Sequence, residues 1–356
     1  MNKALIAMSG GVDSSVAAYL TKTAGYECTG TTMKLYTNDD ICVSSEKTCC
    51  MLDDVNDAKI VADSLDIPYY VYNFSDLFEE KVMKKFADTY MEGGTPNPCI
   101  DCNRYIKFDK LMKRMEEMGF DYVVTGHYAR VEQNRLTGRY ELKKGVDDSK
   151  DQSYVLYNLT QQQLSHTLFP LGGYTKKDIR RIANEQNFVN ANKHESQDIC
   201  FVPDGDYASF IERYTNKMFE EGNFVDKEGN VLGRHKGIIR YTVGQRRGLG
   251  IAAKAPLYVC KVDCEKNQVV LGDNEDVYGS ELTAKDVNLI SVEKIVQPMR
   301  CKAKIRYKHK EADAVVNQME DGRICVKFDV PQRGITKGQA VVLYDEDVVI
   351  GGGIIE

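Results

Sequence analysis

A short apolar run, Ala4–Met8, stops at Ser9-Gly10-Gly11 and gives way to Val12, Val16, Tyr19 and Leu20 at helical spacing. This strand, glycine turn and helix start, closing as Ser9-Gly10-Gly11-Val12-Asp13-Ser14-Ser15, limits the possible folds more than any other feature of the chain. Glycines at such a turn let backbone N–H groups approach a phosphate, and the helix start adds roughly half a positive charge. The hydroxyls of Ser9, Ser14 and Ser15 add donors. No Gly-Lys-Ser/Thr follows, so this is not the phosphate loop of kinases and GTPases. A tight glycine turn with a serine-rich helix cap is the plainer reading of the same residues.

The alternation continues through the first half. Thr29–Met33, Tyr69–Phe74 and Tyr122–Thr125 read as strands. Val55, Ala58, Val61, Ala62 and Leu65 line one helix face, with Pro68 beyond its end. Another helix, beginning near Asn103, turns Tyr105, Phe108, Leu111, Met112, Met115 and Met118 inward and closes at Gly119. Such alternation predicts a parallel sheet covered by helices. After about residue 205 the pattern becomes all-β, with short runs at Ile238–Val243, Leu257–Val262, Val269–Leu271, Cys325–Phe328 and Val341–Leu343. A small linking domain over 206–280 and a barrel or sandwich over 281–356 are expected, following an α/β domain over 1–205. A length of 356 residues suits two to three domains of about 150 residues each.

The net charge of −6 hides a division. Residues 1–205 hold 24 basic and 30 acidic side chains, whereas 206–280 hold 11 of each and 281–356 hold 12 of each. No apolar run reaches the length of a membrane span, and Ala4–Met8 is too short for a signal-peptide core. Eleven cysteines without an export signal point to a reducing cytoplasm.

Three of those cysteines stand out. Thr95-Pro96-Asn97-Pro98 leads into Cys99-Ile100-Asp101-Cys102, and Cys200 follows in Ser196-Gln197-Asp198-Ile199-Cys200-Phe201. With Asn103 as the helix cap, Cys99 and Cys102 would sit at a positive helix end, where thiolate is favoured. Spacing alone leaves a C-x-x-C as readily incidental as functional. Cys42, Cys49 and Cys50 match no common zinc spacing and read as free thiols near a substrate-facing loop. Cys28, Cys260, Cys264, Cys301 and Cys325 read as small core or edge residues. His127 and His194 read as hydrogen-bonded structural groups.

The string SGGVDSS resembles the pyrophosphate loop of ATP-pyrophosphatase enzymes, which cleave ATP to AMP and pyrophosphate. TPNP with its downstream Cys102-Asn103 and Ile106-Lys107-Phe108, TGHYAR (Thr125–Arg130), KDQSY (Lys150–Tyr154), SQDICF (Ser196–Phe201) and YTVGQRRGLG (Tyr241–Gly250) follow in order. Together they resemble the tRNA-specific 2-thiouridylase family from end to end. The resemblance implies an N-terminal ATP-pyrophosphatase (adenine nucleotide alpha hydrolase-like) α/β domain with a parallel sheet, a central tRNA-contacting domain and a C-terminal β-barrel. It implies ATP-dependent 2-thiolation of the wobble uridine in tRNAs for Lys, Glu and Gln, with Mg²⁺ as a cofactor. ATP would meet Ala7, Met8, Ser9, Gly10, Gly11, Val12, Asp13 and Ser14, with Met33 and Gly126 behind the adenosine and Asp13 positioning Mg²⁺ and phosphate. Asn97, Pro98, Cys99, Lys150, Asp151, Gln152, Arg306 and Tyr307 would contact tRNA.

In that family the cysteine at Cys200 receives sulfur as a persulfide and the one at Cys102 resolves the intermediate. Better-known members carry aspartate where this chain has Cys99. Members with cysteine there resemble iron–sulfur enzymes, in which Cys99, Cys102 and Cys200 would hold a [4Fe-4S] cluster with one iron open to hydrosulfide. Sulfur would come from a donor or relay protein or from free sulfide.

Arg300, Lys302, Lys304, Arg306, Lys308 and Lys310 occupy alternate positions, so a single strand would place all six on one face, for phosphate contact or as a solvated outer strand. Seven further basic residues and no acid lie between Gly229 and Val262. Two rival readings share these features: an adenylating amide-forming ligase, and a non-catalytic tRNA-binding protein with a degenerate nucleotide site.

Overall fold

The computed structural model describes residues 1–37, 49–193 and 199–356. Cys42, His194 and Ser196–Asp198 lie outside the described residues, as do the side chains of Cys49 and Cys50. The chain divides into two compact units. One comprises Met1–Val82, Cys99–Pro203 and Asp347–Val349, and the other Met83–Pro98, Asp204–Glu346 and Ile350–Glu356.

The first unit is built on a parallel sheet of β1 (Lys3–Ala7), β2 (Glu27–Lys34), β3 (Tyr69–Asn73), β4 (Tyr122–Val124) and β7 (Thr167–Leu168), in the order β3-β2-β1-β4-β7. Ala4, Leu5 and Ile6 of β1 are fully buried, as a strand covered on both faces requires. Helix α1 (Val12–Thr23) shares one core with the helices Cys49–Ser64 and Lys176–Glu185, through Val16, Ala17, Ala58, Val61, Ile179 and Ile182. The strand order reverses direction between β1 and β4. In open α/β sheets that crevice, at the carboxyl ends of the strands, is where ligands bind. A hairpin, β5 (Ala129–Gln133) and β6 (Tyr140–Lys144), completes the unit, with Lys143 opposite Val348.

One helix departs from its sequence reading. It begins at Pro98, not near Asn103, and runs through Pro98–Asp101, a π-wound section Cys102–Lys110, and Leu111–Glu117. Proline is favoured in a first turn, where its missing N–H leaves nothing unsatisfied. Asn103 is therefore no cap. It is buried and donates from Nδ2 to the Val155 carbonyl at 3.0 Å. Over its own span the wider π winding shifts the phase of the inward face, so Ile106 is fully buried while Tyr105 is only partly covered; Met118, past the helix end, is exposed.

The second unit holds two β assemblies. A four-stranded sheet orders β10 (Tyr258–Asp263), β11 (Gln268–Gly272), β8 (Gly222–Val225) and β9 (Val231–His235) side by side, with β11 and β8 parallel. Ile238–Val243 is not a strand. Ile238–Arg240 forms a 3₁₀ turn entered through Gly237, whose φ is +101°, and Ile238, Ile239 and Tyr241 are all buried. The other assembly is a closed barrel of β12 (Tyr278–Leu289), β15 (Ile324–Arg333), β14 (Ala312–Gln318), β13 (Met299–Lys304), β16 (Ala340–Asp345) and β17 (Val348–Ile355), sealed by β12 pairing with β17. Ala303, Ile305, Ala314, Val316, Val326 and Leu343 fill it. Cys301 is in that core and Cys28 in the core of the first unit, whereas Cys264 lies exposed in a turn. No helix among the described residues is long and apolar enough to cross a membrane.

Candidate active site

Four predicted nucleotide residues, Ala7, Met8, Ser9 and Gly10, leave the end of β1, and Gly11 precedes α1. The loop is held from several sides. Ser14 Oγ donates to the Gly11 carbonyl at 3.0 Å and accepts from the Ser9 N–H at 3.1 Å. Asn190, buried and far away in sequence, donates from Nδ2 to the Gly10 carbonyl and to Ser15 Oγ, each at 2.9 Å. Met8 is fixed by its N–H to the Thr31 carbonyl at 2.8 Å and by Thr32 Oγ1 on its own carbonyl at 2.6 Å. Met33 is half-buried near the end of β2.

Gly126 follows β4 across the crevice. A Cβ there would lie 2.8 Å from both the Asp13 carbonyl carbon and the Ser14 nitrogen, so only glycine lets the two loops touch. Tyr128, two residues on, donates its hydroxyl to Asp13 Oδ1 at 2.7 Å. Lys176 Nζ bonds both Asp13 oxygens, at 2.8 and 2.9 Å. Asp13 is thus already committed to an ammonium and a phenol. Among the described residues no three Asp, Glu, His or Cys groups converge as a single-ion site. The residues present do not fit a resident Mg²⁺ on Asp13.

The cysteines lie on the other side of the same loop. Cys99 is in the first turn of its helix, Cys102 begins the π section, and the Cys200 carbonyl accepts from Tyr36 OH at 2.6 Å. The three thiols are close enough to act on one another electrostatically, and Lys107 acts on all of them. Cys99 and Cys200 keep surface in contact with solvent, although protein atoms crowd all three sulfurs. That crowding pushes Cys99 up, Cys102 to about 11 and Cys200 to about 12, with Lys107 pulling each partway back. Burial outweighs the helix end, so the thiols are protonated at neutral pH, contrary to the expectation that their position favours thiolate.

His127 joins the two halves. Its Nδ1 lies 2.6 Å from Thr125 Oγ1, and its Nε2 lies 3.4 Å from Lys107 Nζ. Burial, with Lys107 beside it, holds the imidazole well below its usual value of 6.5. The neutral ring accepts from Lys107 and donates to Thr125, which makes it the structural group that was expected. The unfolded chain takes up a proton near pH 6.5 that the folded ring refuses. Stability from this group is therefore present above that pH, and it should fall by about 1.4 kcal/mol for each pH unit below it. Urea unfolding at stepped pH should show His127→Gln lacking this increment, and parallel curves would refute it.

The segment Lys150–Gln152 forms the rim next to Tyr128. Gln152 exchanges two hydrogen bonds with the Tyr128 backbone, at 2.9 and 3.0 Å. Asp151 is buried, its carboxylate taken by the Gly145 and Ser153 N–H groups and the Ser153 hydroxyl. Asn97 and Pro98 belong to the second unit, as do Arg306 and Tyr307.

In that unit the six-cation row is broken. β13 ends at Lys304, and the chain turns through 305–309. Only Arg300, Lys302 and Lys304 share the outer strand face. Arg300 is bonded to both oxygens of Asp329 at 2.8 Å. Arg306 folds inward and donates to the Arg333 and Gly334 carbonyls, each at 2.7 Å, and Lys304 lies over the Tyr307 ring. In the 229–262 stretch Arg240 is likewise taken by Glu212, whereas Arg246 and Arg247 are exposed with no acidic partner among the described residues.

Sequence reading missed Lys107 and Tyr128 as site residues, although both lie inside quoted motifs. It also missed Lys176 and Asn190, for which no local signal exists.

The fold and loop define a HUP-type nucleotide-domain protein carrying two β modules. Family models match in that order: a tRNA methyl transferase HUP domain over residues 2–204, its PRC-barrel domain over 208–273, and an aminomethyltransferase beta-barrel domain over 279–355. The chain belongs to the tRNA-specific 2-thiouridylase MnmA family. It is 54% identical over 354 residues to the tRNA-specific 2-thiouridylase MnmA of Clostridioides difficile, covering 99% of this chain and 98% of the relative. It is 55% identical over 356 residues to MnmA 2 of Caldanaerobacter subterraneus subsp. tengcongensis, covering 100% and 98%.

Proposed function

We propose that this chain is an ATP-dependent tRNA-uridine 2-sulfurtransferase acting on the wobble uridine. One observation carries the reading. The loop Thr125–Tyr128 touches the glycine–serine loop through Gly126 and Tyr128, and touches the cation of the cysteine cluster through His127. An activated phosphate ester and a sulfur nucleophile would then meet across four residues.

The uracil C2 oxygen is amide-like and a poor leaving group. In the first step it attacks the α-phosphorus of ATP, which arrives as its Mg²⁺ complex. The new O–P bond forms, pyrophosphate leaves with the electron pair of the broken P–O bond, and the N3 proton passes to solvent. A terminal sulfur then attacks C2, and AMP departs with the C2–O electron pair. In the relay form Cys200 carries that sulfur as a persulfide, and Cys102 attacks the Cys200 sulfur. This leaves 2-thiouridine and a Cys102–Cys200 disulfide for an external thiol reductant to clear. The sulfur for this form comes from a donor or relay protein that already carries sulfane sulfur and transfers it to Cys200, leaving its own thiol reduced. Free sulfide, already fully reduced, can serve only delivery through an iron–sulfur cluster, and both operate in a reducing cytoplasm.

A [4Fe-4S] cluster is the second form of delivery: Cys99, Cys102 and Cys200, which act on one another electrostatically beside Lys107, would hold it, and their ligation would require the loss of the protons that burial now favours. Such a cluster, when bound, supplies an open iron for hydrosulfide. Lys107 and the neutral His127 hold the charge balance of the pocket in either case. Lys150, Gln152, Asn97 and the Arg306-Tyr307 turn are the contacts for the tRNA, with an anticodon base already partly unstacked.

The test is incubation of the protein with ATP, unmodified tRNA and either sulfide or a persulfide-bearing donor protein with a thiol reductant, with nucleoside analysis. Thiouridine with AMP and pyrophosphate is expected. None under either anaerobic or aerobic conditions would refute the reading, and amide formation that survives loss of all three cysteines would identify a ligase. Brown protein with about four irons per chain after anaerobic purification would select the cluster, and colourless active protein the persulfide.

A further inference from the structure

The nucleotide loop would have to receive a strongly anionic ligand, yet its neighbourhood is crowded with carboxylates. Asp13 lies in the first turn of α1, and Asp54 and Asp57 lie on the helix packed beside Gly10. Two lysines answer them. Lys193 bridges Asp54 and Asp57 at 2.6 and 2.5 Å, both on that neighbouring helix. Lys176 instead serves the loop itself, bonded to both oxygens of Asp13.

Lys176 is built into place. Thr175 caps its helix through a reciprocal capping box with Asp178, and the Lys176 N–H donates to Asp147 Oδ2 at 3.0 Å. Its side chain is only 12% exposed, and its ammonium lies 5.8 Å from the Tyr128 ring centroid. Tyr128 in turn donates to the same Asp13 oxygen. An ammonium held by both oxygens of a carboxylate loses its freedom, which is how a cation is aimed in advance. A divalent ion placed on those oxygens would face the ammonium at close range, where like charges repel strongly.

We propose that Lys176 is the phosphate-binding cation of the nucleotide site and that Asp13 is its positioning residue, not a vacant metal ligand. The inference rests on the nucleotide reading given above and adds the residue that meets the departing pyrophosphate. The glycine amides and the helix start would face the most highly charged part of the ligand, while the hydroxyls of Ser14 and Ser15 brace the loop by donating to the Gly11 carbonyl. Lys176, at the same turn, meets the β- and γ-phosphates. When the Pα–O bond breaks, negative charge grows on the β-phosphate oxygen, and the fixed ammonium stabilises it.

Nucleotide binding by the full chain, measured calorimetrically, tests this without turnover. ATP and AMP are compared, each with Mg²⁺ and with EDTA, for wild type, Lys176→Met, Lys176→Arg and Asp13→Asn. Lys176→Met should weaken ATP by about tenfold to a hundredfold, the effect of losing one charge-assisted contact, and leave AMP within about twofold. Lys176→Arg should restore most of the ATP affinity. Asp13→Asn should weaken ATP in EDTA as much as in Mg²⁺. Equal losses for ATP and AMP would mark Lys176 as a merely structural partner and overturn the proposal, as would unchanged ATP binding. An Asp13→Asn defect confined to Mg²⁺ would restore the metal-ligand role and also overturn it. If wild type thiolates tRNA while Lys176→Met binds ATP normally, this inference fails and the sulfurtransferase reading stands. If wild type binds ATP but makes no thiouridine, that reading fails while the ATP/AMP comparison still decides the role of Lys176.

Discussion

Replacing Cys200 by alanine should lower 2-thiouridine formation by about a thousandfold or more while tRNA-dependent pyrophosphate release continues. In the proposed reaction the two half-reactions would use different groups: adenylation the loop around Gly10 and Asp13, and sulfur delivery the thiols. Cys200 keeps surface open to solvent although its sulfur is crowded by protein atoms, so its removal should change stability by no more than about 1 kcal/mol. Loss of thiolation with an unchanged melt and intact pyrophosphate release is therefore chemical. Serine should fail as fully as alanine, since a hydroxyl cannot carry a sulfane sulfur. Cys102→Ala should be equally inactive in repeated turnover. Cys99→Ala separates the two routes of delivery: the cluster route loses both colour and activity, and the persulfide route keeps its activity. Nucleoside analysis and labelled pyrophosphate release read both halves in one reaction. Thiolation at the normal rate by a protein lacking all three cysteines would end the proposal.

The second large effect belongs to Gly10. Its φ is +73°, and a Cβ would lie 2.3 Å from the Asp54 carbonyl oxygen and 2.6 Å from its Cα. These are backbone atoms of a packed helix, with no flexible side chain to give way. Gly10→Ala should cost about 3–5 kcal/mol and abolish ATP binding, because the loop must move off the helix to relieve the contact. Gly25 provides the control: its φ is +87°, but nothing lies within 4 Å of an added Cβ. Gly25→Ala should cost only the left-handed backbone term, about 1 kcal/mol. Denaturant unfolding and nucleotide titration of both variants check the contrast. Equal destabilisation, or wild-type ATP affinity in Gly10→Ala, would show that the contact with Asp54 does not shape the loop.

Much of the fold was legible locally. β1 and β4 were readable because central strands of a parallel sheet covered on both faces demand short uninterrupted apolar runs, and α1 because Val12 and Val16 fall on one face of a 3.6-residue period. The misreadings share one cause, that residue spacing does not reveal where an element stops or changes its winding. The alternation of Arg300 to Lys310 persists past Lys304, yet the strand ends there and Arg306 turns inward to two carbonyls. The π section displaced the inward face by about one residue, so Ile106 took the buried place read for Tyr105.

The sequence by itself determined the chemistry on offer: a glycine–serine phosphate loop, three cysteines in the first domain, and β modules rich in cations. Those features depend on residue type and on neighbours a few positions away. Only the tertiary structure decided how that chemistry is tuned. Lys176 comes to Asp13 across 163 residues, and Lys107 meets His127 across a helix and a strand. Burial, a property of the packed chain and not of any residue, keeps the thiols protonated and the imidazole neutral. Charge pairing and desolvation act through space, so no pattern along the chain encodes them in readable form.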